Sequence, residues 1–201
     1  MQPYACLTVI DNGKQKNLEV AYQDIHKELV ELCKTGSKKA QHQLYKLYSK
    51  AMFNICYRML NSFEEAEDLL QEAFTEAFMK LESFRFESSF GAWLKRIVVN
   101  RCINHIKKRK VDLLYTDTIP EWKSATNNED DDDDSIMNVQ KIKKAMGMLP
   151  DGYRIIFSLY LLEGYDHGEI AQIMEISEST SKSQFSRAKQ KVKELVKNMA
   201  P

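Results

Sequence analysis

Residues 88–110 constrain the fold most, because their pattern requires a single helix with two different faces. Phe90, Leu94, Ile97, Val98 and Ile106 recur close to the helical period, which predicts a face that packs on a core. The segment contains no acidic residue, and phosphate is the expected counterpart of its positive charge. Its cations are Lys95, Arg96, Arg101, Lys107, Lys108, Arg109 and Lys110.

The composition favours an all-α protein with two small domains. The 201 residues are 43% hydrophobic, enough for one moderate core or two small ones. Seven glycines and four prolines leave little room for a turn-rich β architecture. The formal net charge is zero, but the charges lie in blocks, so their distribution indicates partners better than their total.

The cysteines and the N-terminus indicate a cytoplasmic protein. Cys6, Cys33, Cys56 and Cys102 lie far apart, and the last three fall inside helical patterns instead of a disulfide framework. The N-terminus lacks a basic stretch followed by an apolar core, and no apolar run approaches the roughly 20 residues that span a bilayer. We therefore expect a reducing compartment and no membrane insertion.

Apolar periodicity divides the chain into four segments. Residues 1–23 form an extension with no assigned role, and residues 24–111 form a first helical domain. Residues 112–138 carry an acidic run with little apolar patterning, which predicts a flexible linker. Residues 139–201 form a second helical domain.

The helix predicted at 62–81 has an acidic face. Ser62 and Glu65 have the spacing of a capping box. Its continuous apolar stripe consists of Ala66, Leu69, Leu70, Ala73, Phe74, Ala77, Phe78 and Leu81. The polar face includes Glu67, Asp68, Gln71 and Glu72. By themselves these residues favour a solvated surface, and a docking surface for a basic partner is the alternative.

The second domain ends in a helix-turn-helix pattern. Asp166 and Glu169 repeat the capping spacing, and Ser177 is placed to cap the last helix. The outer side of that helix suits the major groove, where Arg187 can pair bidentately with guanine; an ordinary lysine-rich surface is the alternative. The candidate DNA-binding residues are Lys182, Ser183, Gln184, Ser186, Arg187 and Lys189.

The loop before the basic helix carries two aromatic residues among polar ones. An exposed ring beside cations suits stacking on an unpaired base, and Phe84 and Phe86 are the candidates. Packing onto Trp93 is the alternative, which we expect for at least one of them. Arg96 and Asn100 lie one turn apart on the helix that follows.

The sequence contains no motif for an enzyme, a metal or a cofactor. Cys102 and His105 form a single C-x-x-H, without the second pair that a structural zinc site needs. A Gly-rich phosphate loop and a serine elbow are both missing from the sequence. We expect no catalytic activity, no bound metal and no cofactor.

Three segments, taken in order, resemble the extracytoplasmic-function (ECF) class of bacterial sigma factors. They are EEAEDLLQEAFTEAF, LESFRFESSFGAWLKRIVVNRCINHIKKR and EGYDHGEIAQIMEISESTSKSQFSRAKQ. The resemblance implies an all-α initiation factor, with a sigma region 2 domain at 24–111 and a sigma region 4 domain at 139–201. Core RNA polymerase and promoter DNA are then the partners, and an anti-sigma factor is an expected regulator.

The resemblance also implies roles for the candidate residues. Glu67, Asp68, Gln71 and Glu72 would dock on the clamp helices of the largest polymerase subunit. The residues that would meet the minus-ten element, including an extruded base, are Phe84, Arg96, Asn100, Arg101, Lys107, Lys108 and Arg109. The last helix would bind the minus-thirty-five element while its domain touches the polymerase flap, and the acidic linker would enter the RNA exit path.

Two positions depart from the family pattern. Glu175 occupies the turn position that often holds glycine, so it must accept a left-handed backbone or adopt another turn. Ser181 stands where a β-branched apolar residue is usual.

Two other functions are alternatives to a sigma factor. The main one is a stand-alone helix-turn-helix regulator that binds duplex DNA, and the other is a helical metal-dependent enzyme.

Overall fold

The computed structural model describes residues 27–114 and 134–199, which form helices and contain no strand. The all-α prediction is confirmed for these residues. The predictions for residues 1–23 and for most of the acidic tract lie outside them. The α-helices are α1 (27–34), α2 (Lys38–Leu60), α3 (Phe63–Met79), α4 (Phe90–Leu114), α5 (Asp134–Gly147), α6 (Asp151–Leu161), α7 (His167–Met174) and α8 (Glu178–Asn198), with a short 3-10 turn at Leu81–Ser83.

Helices α1 to α4 pack together, and α3 begins where the sequence predicts. The side chain of Ser62 accepts a hydrogen bond from the backbone N–H of Glu65 at 3.3 Å. The Glu65 carboxylate instead accepts from Arg109 of α4 at 3.2 Å. The start of α3 is therefore capped by the serine, while the glutamate links α3 to α4. The apolar stripe of α3 is buried, with Phe78 half-buried.

The basic helix α4 follows the predicted pattern and runs further than expected. Leu94, Val98 and Ile106 are buried, and the Ser89 side chain accepts from the N–H of Ala92 at 3.2 Å. α4 continues to Leu114 and α5 begins at 134, so helices occupy both ends of the segment predicted as a linker. Neither glycine nor proline occurs between 111 and 114 to end the helix.

Helices α5 to α8 form the second domain with its predicted caps. Asp166 and Glu169 make a complete capping box at α7, and Ser177 caps α8 by accepting from the N–H of Thr180 at 3.0 Å. A small core lies between α5, α6 and α8. Its members are Ala145, Met146, Leu149, Phe157, Ala188 and Val192.

The two domains are packed against each other, an arrangement that the sequence does not predict. Ile155, Ile156 and Leu159 of α6 belong to the same buried cluster as the apolar residues of α2 to α4. Arg154 is only 4% exposed, and its guanidinium donates to the Met59 carbonyl at the end of α2 at 3.2 Å. A buried charge tolerates this position because its donors are used, here across the domain boundary.

Candidate polymerase and nucleic-acid interfaces

The acidic face of α3 forms an exposed strip. Glu67, Asp68, Gln71 and Glu72 are all exposed and lie on successive turns of one side of the helix. Within the described chain, Glu67, Asp68 and Gln71 make no side-chain hydrogen bond or ion pair. The strip borders a shallow groove between α3 and α4, so its charges are available to a partner.

Arg101 of α4 contacts the acidic side of α3. Its guanidinium pairs with Glu72 at 3.0 Å and also with Glu76. A hydrogen bond from Lys80, together with one from Arg101, holds the pKa of Glu76 below its usual range despite partial burial. Arg101 thus joins α4 to α3 in this structure, and it must leave two carboxylates before it can meet DNA.

Phe84 is buried, which contradicts the expectation of an exposed stacking ring at this position. It is 4% exposed, and its ring centroid lies 5.1 Å from that of Trp93 and 5.9 Å from that of Phe90. The packing alternative therefore applies to Phe84, because the aromatic residues at the start of α4 enclose it. Phe86 remains half-buried and is the ring of the loop that solvent still reaches.

Arg96 and Asn100 form an open polar face on α4. Both are exposed, and neither bonds through its side chain to another residue in the described parts of the chain. Trp93, half-buried, lies one turn before Arg96 on the same side of the helix. Arg96 and Asn100 therefore lie one turn apart on the same exposed side of α4.

The C-terminal part of α4 meets carboxylates of the second domain. Lys107 pairs with Glu175 at 3.0 Å, and Arg109 pairs with Asp151 at 2.7 Å. Lys108 is exposed and, within the described residues, unpaired.

The Arg109–Asp151 pair is electrostatically favourable on both sides. Burial alone would lower the pKa of Arg109 and raise that of Asp151. The opposite charges outweigh burial: Asp151 and Glu65 raise the pKa of Arg109, while Arg109 and Arg154 lower that of Asp151. These contacts satisfy Arg109 without DNA.

Helix α8 exposes most of the residues predicted to bind duplex DNA. Ser186, Arg187 and Lys189 are exposed and unpaired in the described residues, and Gln184 is half-buried. Lys182 pairs with Glu178 one turn earlier at 2.6 Å, and this hydrogen bond raises its pKa. The Ser183 hydroxyl, also exposed, donates to the Thr180 carbonyl at 3.0 Å. The polar face of α8 is therefore exposed and can enter a groove of duplex DNA.

The two positions that depart from the family pattern are accommodated locally. Glu175 has a left-handed backbone with φ of 58°, and its carboxylate holds Lys107 of the first domain. Ser181 is fully buried, and its hydroxyl lies 2.9 Å from Nδ1 of His167. This bond ties α8 to α7, so a polar residue replaces apolar packing with a hydrogen bond.

The described residues contain no cluster of three or more His, Cys, Asp or Glu side chains that could hold a metal. Cys33, Cys56 and Cys102 are buried free thiols. A hydrogen bond with Cys56, together with burial, raises the pKa of Cys102, which disfavours the reactive thiolate. Among the described helices, none combines the length and apolarity that a bilayer crossing requires.

Comparison with known families matches both domains. The sigma-70 region 2 model matches residues 44–111, and the sigma-70 region 4 model matches residues 139–192. Among curated proteins, the chain is similar to the ECF RNA polymerase sigma factor SigW of Bacillus subtilis, 26% identical over 86% of this chain and 97% of that protein. It is 27% identical to the ECF RNA polymerase sigma-E factor of Escherichia coli, over 82% of this chain and 90% of that one.

Solved structures show the same fold. The sigma factor RpoE of Bartonella quintana, solved with the anti-sigma factor NepR, is 27% identical with a TM-score of 0.55, covering 79% of this chain and 98% of that one. CnrH, solved with the cytosolic domain of CnrY, is 19% identical with a TM-score of 0.51, covering 87% of this chain and 99% of that one.

Proposed function

The chain belongs to the sigma-70 family, in the extracytoplasmic-function class of transcription initiation factors, and from this premise we propose which partner each of its surfaces binds. It acts with core RNA polymerase and promoter DNA in initiation. The observation that carries the assignment is that the region 2 domain is followed by the region 4 domain in one chain. The first domain has an exposed acidic strip, and the second has an exposed basic recognition helix. A stand-alone regulator has no need of the acidic strip.

The acidic strip is the proposed docking surface for the clamp helices of the polymerase. Glu67, Asp68 and Gln71 support this role because they are exposed and make no side-chain bond within the described chain. Glu72 joins them once a partner competes with Arg101 for its carboxylate. Complementary charge across such an interface favours fast and specific association.

The polar face of α4 is the proposed surface for the minus-ten element. Arg96 and Asn100 are open to an extruded base, while Phe84 supports the loop from below. Flipping a base costs a few kcal/mol of stacking, which a preformed surface offsets. We propose phosphate contacts for Lys108 directly, and for Arg101, Lys107 and Arg109 after they leave their carboxylate partners.

Helix α8 is the proposed reader of the minus-thirty-five element. Arg187 is the candidate for a bidentate contact with guanine, and Lys182 and Lys189 are candidates for phosphate contacts. Ser183, Gln184 and Ser186 lie on the same side of the helix and complete the polar surface. The same domain would touch the polymerase flap.

Three further properties belong to this proposal. The protein catalyses no reaction itself, as expected of a relative of sigma factors. It works in the cytoplasm, where it meets the polymerase. An anti-sigma factor regulates it, by analogy with the RpoE relative that was solved with one.

The decisive experiment is reconstitution of the full-length protein with core RNA polymerase of its own organism. Transcripts from fragmented genomic DNA are sequenced at their 5′ ends to map start sites, and shared upstream sequences define the two promoter elements. We expect promoter-specific transcripts only when the protein is present. Specific duplex binding without polymerase, together with no specific transcription, would favour the stand-alone regulator instead.

A further inference from the structure

Phe86 has an unusual backbone for a bulky residue. Its φ is 58°, in the left-handed region, where a side chain with a Cβ is disfavoured. Such a conformation persists only where the surroundings hold it, and it is found disproportionately at functional sites. The contacts that hold Phe86 therefore bear on what the loop does.

Lys34 at the end of α1 holds this loop at two points. Its ammonium donates to the carbonyl oxygen of Phe84 at 2.9 Å and lies 4.6 Å from the centroid of the Phe86 ring. The Lys34 side chain is only 18% exposed, with Glu31 as a more distant partner at 3.9 Å. A single half-buried cation thus contacts both the backbone of the loop and the Phe86 ring.

The other neighbours of Phe86 make this position suitable for nucleic acid. The Phe84 ring lies beneath it at 4.8 Å between centroids, and through Trp93 that ring connects the loop to the start of the α4 face. The ammonium of Lys27, which is exposed, lies 5.6 Å from the Phe86 centroid, and Arg85 is also exposed. A half-buried ring beside exposed cations can pack on a base while the cations pair with neighbouring phosphates.

We propose that Phe86 is a further base-contacting residue of the minus-ten surface and that Lys34 is the residue that positions it. The ligand is an unpaired base of single-stranded DNA, with Lys27 turning toward the adjacent phosphate. Phe84 supports the ring without touching DNA. This inference rests on the proposed function, since it adds a contact to the surface formed by Arg96 and Asn100.

The test removes the ring while it keeps the backbone. Glycine adopts positive φ freely, so Phe86→Gly retains the loop conformation and loses the aromatic face. Phe86→Asn is the second variant, because asparagine also accepts the left-handed region, and Phe86→Tyr keeps the ring. The probe is a non-template-strand oligonucleotide carrying the minus-ten element of a mapped promoter, bound by holoenzyme, with an abasic site introduced at each position in turn.

A base contact produces coupling at one position of the oligonucleotide. We expect Phe86→Gly and Phe86→Asn to weaken binding of the intact strand by about 5- to 150-fold, the range of one base–aromatic stack. The abasic site at the contacted position should weaken wild-type binding equally and add little to the loss in either variant. Phe86→Tyr should bind as the wild type does. Losses that multiply at every position, or a Phe86→Gly variant with wild-type affinity, would overturn the proposal.

The positioning role of Lys34 has its own controls. Lys34→Met should lower affinity and show the same coupling at that position, and Lys34→Arg should recover most of it, because a guanidinium can donate to the Phe84 carbonyl and lie over the ring. Lys39→Met, at an exposed lysine near the start of α2, should behave as the wild type. Equal effects of Lys34→Met and Lys39→Met would rule out the positioning role.

Two measurements separate failure of this inference from other failures. Phe86→Gly should unfold within a few degrees of the wild type, since relief of backbone strain offsets the lost ring contacts with Phe84 and Lys34. A much lower unfolding temperature together with uncoupled binding would show that Phe86 serves folding only. Wild-type holoenzyme that transcribes from mapped promoters but shows no coupling would sink this inference alone. Wild-type protein that directs no promoter-specific transcription would sink the proposed function and this inference with it.

Discussion

Replacing Glu163 with glutamine should loosen the contact between the two domains. Glu163 follows α6, and its carboxylate pairs with Arg58 of α2. Its carbonyl oxygen accepts from Lys95 of α4 at 2.8 Å. One residue of the second domain therefore binds two helices of the first. Glu163→Gln keeps the shape of the side chain and the backbone contact, but it removes the charge.

The expected effect follows from the exposure of the two partners. A hydrogen bond to a charged group contributes about 1.5–3 kcal/mol, and glutamine keeps such a bond to the Arg58 guanidinium but loses the attraction between the two opposite charges. The side chain of Glu163 is 6% exposed but that of Arg58 is 32% exposed, so water screens part of that attraction. We expect a loss of about 1–2 kcal/mol, which raises the equilibrium constant for opening about five- to thirtyfold. The apolar contacts of Ile155, Ile156 and Leu159 with the first domain remain.

Native-state hydrogen exchange, read by mass spectrometry on peptides from α2 and α6, measures this opening directly. Glu194→Gln is the matched control, because Glu194 pairs with Lys191 at 3.6 Å within α8 and both side chains are about half exposed. Amides at the ends of α2 and α6 should exchange faster in Glu163→Gln than in the control. Equal exchange in the two variants would refute the view that this ion pair holds the domains together.

Three further predictions concern single residues. Because folding lowers the pKa of Asp151, its carboxylate contributes fully to stability above the unfolded pKa of about 3.9, and this contribution is lost as the pH falls through the folded pKa. Asp151→Asn should therefore make the free energy of unfolding, measured with urea, depend less on pH in the acidic range. Asp68→Ala should weaken core polymerase binding by about 1–2 kcal/mol in a competition assay, whereas Glu64→Ala at the start of α3 should not. Ser62→Ala removes the cap of α3 and should cost about 1 kcal/mol, visible as a lower thermal midpoint.

The sequence predicts features that depend on neighbours a few residues away. Ser62, Asp166 and Ser177 each accept from a backbone N–H three residues later, so a short window contains all the information that a cap requires. The apolar period fixes the buried side of α3 and α4 for the same reason. Residues that one helix face brings together, such as Arg96 and Asn100, are likewise predictable.

Contacts between distant residues are beyond such reasoning. Phe84 is buried because rings at the start of α4 enclose it, and Lys34 reaches its carbonyl across 50 positions of the chain. The pairing of Lys107 with Glu175 requires the two domains to dock in one orientation. Local pattern indicates that each of these residues is charged or aromatic, but not which partner it meets.

The balance of positive and negative charge affects DNA binding, because cations of the first domain form ion pairs with carboxylates of the second. Lys107 and Arg109 already hold carboxylates of the second domain, so a DNA phosphate at either site must replace Glu175 or Asp151 and gains only the difference between two ion pairs. Non-specific duplex offers little beyond phosphates, and its binding is reduced by this competition. Arg96 and Asn100 have no competing side chain in the described residues, so under the proposed function a promoter base would bind them without displacing an ion pair. On the proposed assignment of these surfaces, the arrangement would favour promoter strands over non-specific duplex, because the phosphate contacts are weakened while the base contacts are open.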